Sequence, residues 1–177
     1  MYAQFHRQRP EEIVKPLSET DIRDSFVNAT RGEIERIPLP GLHEVLWDSR
    51  EYLGWRDPQA RQRGYLVHWS GDTPVGIVLR ASEVALSHGI SAMCALCRTA
   101  QPSHQVTMFS APRAGEAGRN GNTVGTYICD DLACSMIIRI APAAQPMHPD
   151  PAEVISSRAE GLLGRVNAFT ADIMRTA

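Results

Sequence analysis

The chain holds four cysteines, arranged as two close pairs: Cys94-Ala-Leu-Cys97 and Cys129-Asp-Asp-Leu-Ala-Cys134. No other feature restricts the fold so strongly. In a C-x-x-C turn the chain doubles back, the two sulfurs converge, and backbone N–H groups ease the thiolate charge. Two such pairs supply the four soft ligands that zinc takes tetrahedrally at about 2.3 Å each. The second pair departs from the commonest ribbon spacing, C-x2-C in both halves. A ligand at the end of a strand (Gly125-Thr-Tyr-Ile-Cys129), with another five residues later in the first turn of a helix, is the arrangement of a treble clef. Asp130 or Asp131 is expected to cap that helix, over 131–140, with Met136, Ile137, Ile138 and Ile140 as its buried face.

Other uses of four cysteines fit less well. A redox C-x-x-C needs no second pair and sits in a βαβ context absent here. The N-terminus has early charges and no apolar h-region, and no stretch approaches ~18 consecutive apolar residues. The chain is therefore expected to be cytoplasmic and without a membrane partner, where stable disulfides are rare. An iron–sulfur cluster also takes four cysteines and stays open on this reading. Zinc is the expected ion, one per chain, and structural, because four cysteines leave no position for water.

The remaining pattern describes an α+β chain. Residues 1–16 lack periodicity and are expected to form a flexible N-terminal extension, with 17–177 as a single zinc-binding domain. Ser18 is a helix N-cap followed by an acidic first turn, and Ile22, Phe26, Val27 and Ala29 or Thr30 share one helical face. Gly32 and Pro38-Leu39-Pro40 are expected to end that N-terminal helix. Tyr52, Leu53 and Trp55 read as core, Arg56-Asp57-Pro58 as a turn, and 59–63 as an exposed loop. Residues 64–70 and 74–80 form two β-rich runs about a Gly71-Asp72-Thr73 turn, and 105–111 and 123–129 form a second pair. These make a small antiparallel sheet. The treble clef covers about 90–140, and 141–151 is a linker. Asp150 and Pro151 open a long amphipathic C-terminal helix, about 151–176, with Leu162, Val166, Phe169 and Ile173 on its apolar stripe.

Nothing suggests catalysis or a small-molecule substrate. The six histidines are scattered, with no H-E-x-x-H, no deaminase H-x-E and no G-x-S-x-G. Gly115, Gly118 and Gly121 lie in a loop that lacks a following G-K-[ST] and leads into a strand, which argues against a phosphate cradle. The same loop can offer Arg113, Arg119, Asn120 and Asn122 to a partner. The formal net charge is −2, so no global basic field draws the chain to nucleic acid. Lys15 is the only lysine, and arginines run along the whole chain, so only arginine position carries information.

The string formed by the C-x-x-C knuckle, Ala-Gly-x-x-Gly-Asn, and Val-Gly-Thr-Tyr-Ile-Cys-x-Asp-x-x-Cys resembles the treble-clef zinc-finger (FBP) domain of elongation-factor-G-binding proteins. That family includes the FusB-type fusidic-acid-resistance proteins. The segments Pro-Leu-Ser-Glu-Thr-Asp-Ile and Leu-Gly-Trp-Arg-Asp-Pro look like its actinobacterial stand-alone members, and the resemblance covers about residues 16–175. It implies Cys94, Cys97, Cys129 and Cys134 as zinc ligands. It also implies a non-enzymatic protein that binds elongation factor G and modulates its release from the ribosome. Arg98, Phe109, Arg113, Arg119, Asn120, Asn122 and Tyr127 are the local candidates for the partner surface. An RNA- or ribosome-binding treble clef is the alternative, since one fold serves both.

Overall fold

The structure, a computed structural model, describes residues 15–87, 89–140, 147 and 149–175. Residues 1–14 of the expected extension, and 141–146 and 148 of the expected linker, lie outside them. Lys15 is docked, with its ammonium 5.4 Å from the Trp69 ring centre, and the Trp69 indole N–H donates to its carbonyl at 2.7 Å.

The N-terminal helical region is two helices rather than one. Helix α1 (Glu19–Ser25) begins in a capping box, in which the Asp21 N–H donates to Ser18 Oγ and the Ser18 N–H to Asp21 Oδ2. A second box, Thr30 with Glu33, starts helix α2 (Arg31–Glu35). The helix breaks between them because strand pairing takes over. Phe26 bridges to Gly76, and the Val27 N–H donates to the Gly76 carbonyl at 3.0 Å. Gly76 permits this approach, since a β-carbon there would lie 2.3 Å from Ser25 Oγ. Gly32 falls inside α2 and ends nothing.

Strands β1 (Leu53–Arg56), β2 (Arg63–Ser70) and β3 (Thr73–Ala81) form an antiparallel meander. The β2–β3 turn is the two residues Gly71-Asp72, with φ +61° at Gly71. Two short strands follow, β4 (Ser91–Met93) and β5 (Ala100–Pro102), paired with each other. Then β6 (Val106–Pro112) and β7 (Thr123–Cys129) join the main sheet in the order β1-β2-β3-β6-β7. Between them lies a short helix, α3 (Gly115–Arg119), where the sequence suggested a loop.

Period-2 alternation gives the sheet two apolar faces. Leu66, Ile77, Leu79, Phe109 and Ile128 face helix α5 (Pro151–Met174), which buries Leu162, Val166, Phe169 and Ile173 against them. Each such side chain contributes ~1.5–3 kcal/mol by leaving water. As expected, Asp150 caps α5, accepting from the Ala152 N–H at 2.7 Å, and Pro151 opens it. On the opposite face, Leu53, Trp55, Tyr65 and Val67 pack with Ile22, Phe26 and Ile37 from the N-terminal segment. Among the described residues no helix is long and apolar enough to cross a membrane.

Candidate metal centre

Three pieces of backbone place the four cysteines. Cys94 and Cys97 lie in the turn between β4 and β5. The Arg98 N–H donates to the Cys94 carbonyl at 3.0 Å, and the turn closes with Arg98 in the left-handed region at φ 58°. The Cys97 N–H points at Cys94 Sγ, 3.4 Å away. Cys129 ends β7, and Cys134 is the first residue of helix α4 (Cys134–Ile137). The Ala95 N–H donates to the Tyr127 carbonyl at 2.7 Å, which fastens the first pair to the strand carrying the third ligand.

All four sulfurs are buried and lie within 4.8 Å of one another. Cys94–Cys134 and Cys97–Cys129 are each 3.6 Å apart. A zinc tetrahedron with ~2.3 Å bonds has sulfur–sulfur edges of about 3.8 Å, whereas a disulfide needs ~2.05 Å. The cysteines are free thiols set at the spacing of a metal ion.

The groups around the sulfurs fit the same ion. The Gln101 side-chain amide, buried, donates to Cys129 Sγ at 3.2 Å and approaches Cys97 Sγ at 3.9 Å. Such outer donors orient ligands and spread thiolate charge. The Cys134 N–H donates to the buried Tyr52 hydroxyl at 3.3 Å, and burial raises the Tyr52 pKa well above its usual value. The crowded sulfurs perturb one another's acidity. Hydrogen bonds from Cys129 and Cys134 lower Cys94 to about 7 and hold Cys97 lower still. The neighbouring sulfurs raise Cys134, and Cys94 and Cys97 raise Cys129 against a lowering contact with Cys134. A divalent cation replaces the thiol protons with one central charge. With four sulfur ligands it has no vacant position, and one structural zinc is the result.

Two expectations for the second cysteine pair need correction. Helix α4 is one turn, not a helix over 131–140, so Met136 is 44% exposed and Ile140 70%, while Ile138 is buried. Neither aspartate caps it. Asp131 accepts from the Ala133 N–H in the preceding turn, and Asp130 takes the Thr107 hydroxyl at 2.6 Å and lies 3.5 Å from Arg56.

The candidate partner residues separate. Arg98, Arg119, Asn120, Asn122 and Tyr127 are exposed. Phe109 is wholly buried beneath the Arg56 guanidinium and belongs to the core, so it offers nothing to a partner. Arg113 is bound to the end of α5: it pairs with Asp172 at 3.3 Å and donates to the Arg175 carbonyl at 3.4 Å. Sequence reasoning missed Gln101, Tyr52 and the Glu51–Arg139 ion pair, 2.8 Å, which clamps α4 to the segment before β1. Tyr52 and Glu51 reach the site from a segment remote in sequence, and Gln101, although near Cys97, belongs to no metal-ligand spacing pattern.

Among curated proteins no relative matches. A solved structure described as that of the fusidic acid resistance protein FusC is similar, with a TM-score of 0.50 and 15% identity, over 79% of this chain and 53% of that one. This chain thus spans about half the length of that protein, and the likeness is one of fold. The profile described as the FBP C-terminal treble-clef zinc-finger matches residues 21–173, nearly the whole chain and all four cysteines. A knuckle, a hairpin and a short helix closing four sulfurs around one ion are what that description names, and the chain belongs to this family.

Proposed function

We propose that this protein is a cytoplasmic, non-enzymatic binding protein for translation elongation factor G that modulates the factor's release from the ribosome. The observation that carries the reading is the exposed strip on the β6–β7 hairpin. Arg119, Asn120 and Asn122 stand at its tip and Tyr127 at its zinc end, with Arg98 in the adjoining knuckle. The closed metal site supports a scaffold role, since it offers no Lewis-acid position. Arg and Tyr are the side chains that most often carry interface energy, costing ~2 kcal/mol or more when a central one is truncated. Tyr127 is 38% exposed although it neighbours a zinc ligand, which suits a contact residue better than a core one.

Titration of purified elongation factor G tests this. Micromolar or tighter binding is expected, weakened about tenfold or more in Tyr127→Ala and Arg119→Ala, with both variants folded. Absence of binding by the wild-type protein at micromolar concentration overturns the function. Undiminished binding by both variants overturns the assigned surface.

A further inference from the structure

The strand register shows that the sheet face carrying Tyr127 continues beyond the zinc module. Arg63, Arg80 and Ser110 lie in one row across β2, β3 and β6. The N-terminal segment packs against β1, β2 and the first part of β3, whereas Thr123, Gly125 and Tyr127 on β7 remain exposed. At the boundary the sheet splits. Strands β3 and β6 pair only at Arg80↔Ser110 and Ala81↔Phe109. Beyond that point the Asn28 amide bridges the gap, donating to the Val78 and Pro112 carbonyls at 3.0 Å and accepting from the Val78 N–H at 2.8 Å. A cleft of about 240 Å³ opens there, with Ile37 and Glu33 on one wall, Tyr65 beneath, and Arg63 and Arg80 along it.

Two arginines and one carboxylate, Glu33, line this cleft. Arg63 stands directly opposite Arg80, and like charges so placed repel. Among the described residues neither guanidinium has a carboxylate within ion-pair distance. The nearby acids, Glu33 and Asp57, stay within electrostatic reach of Arg63 while their oxygens accept hydrogen bonds elsewhere, so Arg80 is the less compensated of the two cations. Glu33 Oε2 takes the Thr30 N–H and hydroxyl, both at 2.8 Å. Asp57 takes the Tyr65 hydroxyl at 2.9 Å and the N–H groups of Gln59 and Ala60. The chain as a whole is slightly acidic, so this pair is a local feature and not part of a basic surface.

We propose that the cleft seats an acidic peptide segment of the protein partner, with its carboxylates on Arg63 and Arg80 and its backbone running over Ser110 and Thr123 toward Tyr127. Planar guanidinium groups bind carboxylates through paired hydrogen bonds. The apolar floor suits the methylene stems of glutamate. A nucleic-acid backbone fits worse, because two guanidinium groups are too few to match a run of phosphates. The inference rests on the binding function above, and two arms keep their failures distinct.

In the first arm, an acetylated hexaglutamate peptide is titrated against the full chain at low salt, with oligouridylate as the competing probe. Saturable peptide binding is expected, weakened at least tenfold in Arg63→Glu/Arg80→Glu and severalfold in Arg80→Gln, with native circular dichroism in both. No peptide binding, equal binding by wild type and variants, or oligouridylate binding in its place overturns the proposal. In the second arm, the same variants are titrated with elongation factor G. A tenfold loss supports the cleft as part of that interface, and unchanged affinity removes it from the interface. If the wild type does not bind the factor, the functional reading fails and the peptide arm alone decides the cleft.

Discussion

Leu132 is seated on Gly54: a β-carbon at position 54 would lie 2.5 Å from the Leu132 carbonyl oxygen and 2.9 Å from its Cβ. Leu132 stands between the zinc ligands Cys129 and Cys134, is fully buried, and holds φ 58°. Gly64, on the neighbouring strand, is also close, 2.8 Å from Leu132 Cδ1 by the same construction. The loop between two metal ligands is thus packed onto a sheet formed more than sixty residues earlier.

Gly54→Ala should therefore destabilise the protein by about 2–3 kcal/mol, because the obstruction is backbone and cannot rotate away. Gly164→Ala, in α5 with nothing near its missing β-carbon, should stabilise by ~0.5–1 kcal/mol. Urea denaturation of both variants checks the pair. Equal effects contradict the packing account.

Arg139→Ala should cost about 2–3 kcal/mol. Its guanidinium bonds both Glu51 oxygens, at 2.8 and 3.0 Å, and the Glu51 side chain is only 7% exposed. Removing the cation leaves a buried carboxylate unpaired, a loss of ~3–5 kcal/mol for a fully buried pair, and less here because Arg139 is 24% exposed. The double variant Arg139→Ala/Glu51→Gln should recover part of the loss, measured by a double-mutant cycle.

His68 should make stability fall with acidity. The ring is buried between β2 and α5, with Nδ1 3.1 Å from the Trp69 carbonyl and Nε2 3.0 Å from the Thr170 hydroxyl. A carbonyl only accepts, so Nδ1 carries a hydrogen, while Nε2 lies against the Thr170 hydroxyl, which also reaches the Val166 carbonyl at 3.1 Å. Burial lowers the folded pKa below its ordinary 6.5. The unfolded chain then takes a proton first, and stability declines as pH drops below about 6.5, levelling off once the folded ring also titrates. His68→Gln should flatten that limb of a melting-temperature profile taken at constant zinc. A limb of unchanged slope assigns it to other groups.

Much of this architecture can be read from local sequence, and the exceptions share a cause. Asp150-Pro151, Gly71-Asp72 and the cysteine pairs act within a few residues, so their consequences follow directly. The break after Ser25 depends on Gly76, fifty residues away, accepting the chain as a strand neighbour. Phe109 and Tyr127 both looked like aromatic surface candidates. Register separates them: Tyr127 stands opposite Met108, one residue from Phe109, so the two aromatics point to opposite faces. Pairing register is a property of two strands at once and is written in neither alone. The isoleucines and Met136 after Cys134 suggested a longer helix because apolar spacing cannot show that the helix stops after one turn.

Cys129→Ser should unfold more than the metal loop while sparing part of the molecule. All four cysteines belong to the same apolar cluster as Leu162, Val166 and Ile173, whereas Trp55 and Tyr65 sit in the other. Structural zinc contributes roughly 10 kcal/mol or more to the folding of small peptides. A partly folded species is expected, with amide protection lost around 91–140 and α5 but retained near Trp55. An unchanged melting temperature contradicts the coupling.

The metal itself is the most direct test. X-ray absorption at the zinc edge, combined with elemental analysis of the purified full chain, should give one zinc per chain and four sulfur scatterers at about 2.3 Å, with no oxygen or nitrogen shell. Iron in place of zinc, less than about one equivalent of metal, or a light-atom ligand in the first shell contradicts the closed four-cysteine site.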